Sequence, residues 1–103
     1  MQGTLDLLVL QVLLAGPKHG YGISRELSDR SSEWLQVQEG SLYPCLYRME
    51  RKGWLVSEMG YSENNRRVRY YSLTTRGRSQ RALQIAQWQQ FAGTVNQVLE
   101  LDR

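Results

Sequence analysis

WLVSEMGYSENNRRVRYYSLT, residues 54–74, reads as two short strands joined by a basic turn. Strands are expected at about residues 55–59 and 68–74, joined by a turn around Asn64-Asn65, which tolerates a left-handed backbone. Alternation along the second strand puts Arg69, Tyr71 and Leu73 on one face and Val68, Tyr70 and Ser72 on the other. Tyr71 and Leu73 form the inner end, with Arg69 reaching out near the tip. Directly upstream, residues 41–52 repeat Leu42, Leu46 and Met49 at i, i+4 and i+7, the buried stripe of a helix. A helix able to enter a groove, followed by a hairpin able to lie along a phosphate backbone, is the layout of a winged helix-turn-helix. The expected fold class is therefore α+β, mostly α.

The remaining chain fits that frame. Residues 5–14 leave almost no polar side on a first helix, which must then be covered all round. Gly16-Pro17 ends it. A second helix is expected over residues 21–29, with Ile23 and Leu27 inward and Ser31-Ser32 as its break. Trp34, Leu35 and Val37 suggest a minor strand. The third helix begins near Gly40-Ser41, with Pro44 placed where first-turn N–H groups lack helical partners, and it stops at Gly53. Thr74 or Thr75 caps a long last helix reaching nearly to Asp102. Residues 1–74 are read as a DNA-binding winged helix-turn-helix and residues 75–103 as a dimerisation helix, the two making one unit.

At 103 residues the chain can bury a single core. A net charge of +3 says little about partners, but its distribution says more. Residues 64–81 carry Arg66, Arg67, Arg69, Arg76, Arg78 and Arg81 with no acid, whereas residues 4–16 hold only Asp6. A basic face of this kind suits phosphates. The lone Cys45 rules out an internal disulfide and fits a reducing cytoplasm. The apolar run at residues 5–15 is too short to span a bilayer, and Asp6 and Gln11 interrupt it. A cytoplasmic protein with no membrane partner is expected.

Helical geometry divides the third helix. Steps of about 100° put Gly40, Pro44, Tyr47 and Arg51 opposite the buried stripe, flanked by Tyr43 and Arg48. Ser41 can bond a base or phosphate, Tyr43 and Tyr47 can contact bases or sugars, and Arg48 and Arg51 can reach phosphate or guanine. In the hairpin, Arg66 and Arg67 are adjacent like charges at an exposed turn, where contact with double-stranded DNA explains them best. The expected DNA-binding set is Ser41, Tyr43, Pro44, Tyr47, Arg48, Arg51, Arg66, Arg67 and Arg69. Lys18 and His19 are a weaker backbone contact.

Three segments resemble the PadR family of bacterial transcriptional regulators. Leu5 to Leu14 followed by Gly16-Pro17-Lys18-His19-Gly20-Tyr21-Gly22-Ile23 is similar to its opening. Gly40-Ser41-Leu42-Tyr43-Pro44-Cys45-Leu46-Tyr47-Arg48-Met49-Glu50 resembles its third-helix signature. Arg67-Val68-Arg69-Tyr70-Tyr71-Ser72-Leu73-Thr74, with Gly77 beyond, resembles its wing-to-last-helix signature. They fall in order over nearly the whole chain, and the single last helix resembles the family's shorter branch. The resemblance implies a homodimeric repressor, often responsive to a small molecule or stress signal.

Along the last helix, Ile85, Trp88, Ala92, Val95 and Leu99 step by 3, 4, 3 and 4, a coiled-coil seam that calls for a second copy. Leu8 and Val12 on the first helix are expected to join that dimer interface. A symmetric dimer places its recognition helices about one DNA turn, roughly 34 Å, apart and reads a near-palindrome. Paired Trp88 rings could line an effector pocket for a small hydrophobic or aromatic molecule, although a packed interface anchor explains Trp88 as well. One His and one Cys, apart in sequence, offer no metal cluster, cofactor motif or nucleophile site, so no enzyme is expected. Cys45 reads as a small core residue. The rival reading is a winged-helix protein–protein assembly module, from which the retained arginines argue away.

Overall fold

The computed structural model describes residues 3–101. Its elements are α1 (Thr4–Val12), continued by a 3-10 turn at Leu13–Ala15, β1 (Lys18–His19), α2 (Gly20–Arg30), α3 (Glu39–Arg51), β2 (Leu55–Tyr61), β3 (Arg67–Leu73) and α4 (Thr75–Val98). The three strands form one antiparallel sheet in the order β1-β3-β2. β2 and β3 pair from Leu55↔Leu73 at the base to Tyr61↔Arg67 at the tip, and Lys18 and His19 pair with Tyr71 and Tyr70. This is the winged helix-turn-helix, mostly helical with a small sheet, that the sequence pattern called for.

The core gathers where α1, α2, α3 and the sheet base meet. Leu10, Ile23, Leu42, Leu46, Met49, Leu55 and Tyr71 are all buried in it. Tyr71 is the inward residue of β3, as its alternation required, and Leu73 packs against the same cluster. Gly53, at φ 80°, supplies the left-handed residue that ends α3. The Gly53 N–H donates to Glu50 O and the Trp54 N–H to Met49 O, each at 3.0 Å. α2 ends in the same way without a glycine: Ser32 takes φ 52° and the Glu33 N–H donates to Ser28 O at 2.7 Å. Thr74 is the N-cap of α4, its Oγ1 accepting from the Gly77 N–H at 3.0 Å and donating to Gly53 O at 2.6 Å. Gly77 is required here because a Cβ would land on the Trp54 carbonyl oxygen.

Four expectations need correction. The minor strand lies at Lys18–His19, while residues 34–38 are irregular, with Trp34 fully out in solvent. α3 starts at Glu39, which puts Pro44 in its second turn rather than its first, so the Gly40 carbonyl receives no N–H from it. Val12 is only 1% exposed inside its own core and cannot meet a partner. α4 stops at Val98, capped by Leu99 with Glu100 at φ 59°. Asp102, to which the helix was expected to reach nearly, lies outside the described residues. No helix among the described residues is long and apolar enough to cross a membrane.

Candidate nucleic-acid interface

α3 and the hairpin face one another across a groove of about 590 Å³. One wall is the start of α2 with Glu39 and Tyr43 of α3, and the other runs from Ser62 to Arg69 on the hairpin. Asn65, at φ 59°, makes the tight turn that projects Arg66 and Arg67 into solvent. Neither arginine has an ion-pair partner among the described residues. Arg69 is exposed, but one guanidinium N–H is spent on Ser57 Oγ at 3.1 Å, and Ser57 donates in turn to Glu50 Oε2 at 2.7 Å. This relay links the hairpin to α3.

On α3, Gly40, Ser41, Pro44, Tyr47 and Arg51 are exposed, the face that the helical wheel indicated. Tyr43 is half-buried and lies over Gly20, where a Cβ would strike its phenol. Burial, with Glu39 and Tyr47 nearby, raises its pKa above the usual phenol value, so it stays a neutral hydrogen-bonding group. Beneath this face, burial together with Tyr47 and Glu50 pushes the Tyr71 phenol up to about 12. Tyr21 was missed by sequence reasoning. It opens α2 67% exposed and lines the same groove, with its ring beside His19 and its hydroxyl accepting from Arg25 at 3.3 Å. The His-Gly-Tyr start of α2 was the only signal available for it.

Arg48, its side chain 40% exposed, does not line this groove. Its two terminal nitrogens donate to the two carboxylate oxygens of Asp6 at 2.7 Å each, so its charge is neutralised within the chain. Lys18 pairs with Glu26 at 3.1 Å, and His19 is the N-cap of α2, Nδ1 accepting from the Gly22 N–H. Both serve the fold. Burial and the adjacent Asp6 push the Cys45 thiol up to about 12, leaving it a protonated core group.

A family model for the transcriptional regulator PadR-like family matches residues 9–83, taking in the core, the groove and the first turns of α4. The chain belongs to the PadR-like family of transcriptional regulators. Solved structures agree. A transcriptional regulator from Clostridium thermocellum is 27% identical, with 93% of each chain covered and a TM-score of 0.85. A PadR family regulator from Eggerthella lenta is 31% identical, covering 98% of this chain and 86% of that one, at a TM-score of 0.82. A PadR family regulator from Clostridium difficile is 28% identical, covering 94% and 99%, at 0.78.

In this PadR-like chain, α4 leaves the core after its first turns, and only Gly77 among its residues is buried. Ile85, Ala92 and Val95 are half-exposed, whereas Trp88, Phe91, Val98 and Leu99 stand in solvent. Leu8 lies half-buried on α1. A cavity of about 330 Å³ lies between the start of α1 and α4, lined by Leu7, Gln84, Gln87, Trp88 and Phe91 among others. Trp88 and Phe91 tilt against each other at 6.2 Å, and Gln84 keeps a buried Oε1 with no donor among the described residues.

Proposed function

We propose that this PadR-like regulator is a homodimeric repressor that binds a near-palindromic operator in double-stranded DNA. The observation that carries the reading is the groove that brings Tyr43 at the start of α3 together with Arg66 and Arg67 of the hairpin, with the exposed Ser41, Pro44, Tyr47 and Arg51 on the same helix. Exposed charges at a hairpin tip that form no ion pair among the described residues, although Glu63 and Glu39 line the same groove, fit phosphates, while Ser41, Tyr43, Pro44, Tyr47 and Arg51 lie along a helix of groove-filling size. Arg66, Arg67 and Arg69 supply affinity and register, and the α3 face supplies sequence choice. Residues 1–74 then act as the DNA-binding part, with residues 75–103 as the dimerisation element.

Dimerisation through Ile85, Trp88, Ala92, Val95 and Leu99, with Leu8 alongside, covers apolar surface that one copy leaves wet. Each large side chain so covered contributes roughly 1.5–3 kcal/mol. A small hydrophobic or aromatic effector stacking near Trp88 fits the cavity between α1 and α4, where Gln84 offers it an acceptor. The experiment is duplex binding across a salt series. Arg66→Ala weakens binding to all sequences alike, whereas Tyr47→Ala or Ser41→Ala blunts discrimination between them. Equal effects from all three on every duplex would refute that division, and no duplex binding at low salt would leave the assembly reading in its place.

A further inference from the structure

The Asp6 carboxylate is buried, 5% exposed on a helix of otherwise apolar neighbours, and three donors converge on it. Arg48 grips both oxygens from α3, and the Cys45 thiol, also on α3, donates to Oδ1 at 3.2 Å. On the same helix, Gln11 Oε1 accepts from Arg81 Nε of α4 at 2.7 Å. α1 therefore holds α3 by one directional contact and α4 by another.

Burying the Asp6 carboxylate under a half-exposed Arg48 is a poor device for stability alone, since well-packed apolar groups of similar volume serve as well. Its distinctive property is geometry. The Leu42, Leu46 and Met49 stripe resists separation of α3 from the core but is non-directional, so it tolerates small rotation and sliding. A two-pronged guanidinium–carboxylate contact does not, because both hydrogen bonds must stay near linear. Arg48 is the residue after Tyr47 and three before Arg51, so fixing Arg48 fixes the outward face.

We propose that Asp6 and Arg48 form a positioning clasp that sets the rotation and height of the recognition helix relative to α1 and, through Gln11 and Arg81, to α4. This inference rests on the DNA-binding dimer reading and deepens it. In a two-fold dimer held along α4, the clasp fixes both recognition helices at the separation that a two-half-site operator demands. Arg48 acts through Tyr47 and its neighbours and touches no phosphate.

The test uses the full-length protein and the duplex that wild type selects from a randomised library, with a scrambled duplex as reference. Asp6→Asn and Arg48→Lys each lower the selected-to-scrambled affinity ratio about tenfold, the worth of one good base contact. Affinity for the scrambled duplex and its salt slope stay at wild-type values, also in Arg48→Ala. Combining Asp6→Asn with Arg48→Ala lowers the ratio no further than either change alone. Should Asp6→Asn lose its helical circular dichroism, Arg48→Lys, which leaves a cation beside Asp6, carries the test. A ratio unchanged in folded variants whose melting temperature falls would show a purely structural pair and overturn the clasp. A salt slope reduced by about one in Arg48→Ala would make Arg48 a phosphate contact and overturn it too. Wild type with no preference among duplexes would instead remove the DNA-binding reading, and the clasp with it.

Discussion

The winged head and the outer half of α4 carry apolar side chains at helical spacing, yet they treat them oppositely. In the head, Leu42, Leu46 and Met49 are sealed by α1, α2 and the sheet. Beyond about Ile85, Trp88 and Phe91 are only partly covered, by each other and the start of α1, and Val98 and Leu99 are mostly in solvent. The polar contacts divide in the same way. The head turns Asp6 and Arg48 toward each other with Cys45 alongside, while among the described residues the outer α4 side chains are hydrogen-bonded only locally, from Thr94 to Gln90 O. The head is complete as a single copy, and the α4 projection is complete only with the proposed second one.

The largest expected effect lies at the joint between the two regions. Gly77→Val would drive a side chain into the Trp54 backbone and lever α4 off the hairpin, costing about 3 kcal/mol in urea unfolding. A wild-type midpoint would show that α4 is not anchored to the head there. Next comes Trp88→Ala, which should weaken the dimer by about 2 kcal/mol in sedimentation while a head-localised unfolding signal stays put. Unchanged association would place the interface elsewhere. Two threonines then contrast the regions directly. Thr74→Ala removes the α4 cap and its bond to Gly53 O, costing about 1 kcal/mol. Thr94→Ala, in the exposed half, should stay within about 0.5 kcal/mol.

The smallest effect is in acid. Burial would raise the Asp6 carboxyl, but the Arg48 and Cys45 hydrogen bonds and the Arg48 and Lys52 charges outweigh it and hold it below its ordinary 3.8. Its contribution is therefore complete above the unfolded value and is lost as pH falls through the lower folded one. In Asp6→Asn the acid limb of a stability–pH curve should flatten, with no change in slope near neutrality. An unaltered acid limb would contradict the pairing.

Much of the head was legible because its signals are local. The α3 stripe, the Gly53 stop, the Thr74 cap and the Tyr71/Leu73 alternation each follow from nearest-neighbour chemistry. What was not legible depends on distant partners. β1 is two residues long and exists because β3 pairs with it, so alternation could not reveal it. Residues 34–37 imitate a strand pattern but pair with no strand among the described residues. Arg48 looked outward on a helical wheel, and only its contact with Asp6, far upstream in sequence, turns it inward. Val12 shows the limit of an all-apolar helix: with no polar face, periodicity cannot say which side meets the core. The wing arginines were legible as charge, whereas the groove joining them to Tyr43 and Tyr21 required the fold.

The central claim is that the helix face and the wing act together on duplex DNA. The most direct measurement is the affinity of the purified protein for its selected duplex as salt is raised, beside Arg66→Ala. The account predicts a steep linear fall of log affinity with log salt, shallower by about one unit in Arg66→Ala. A flat salt response, or the same slope in both proteins, would contradict it.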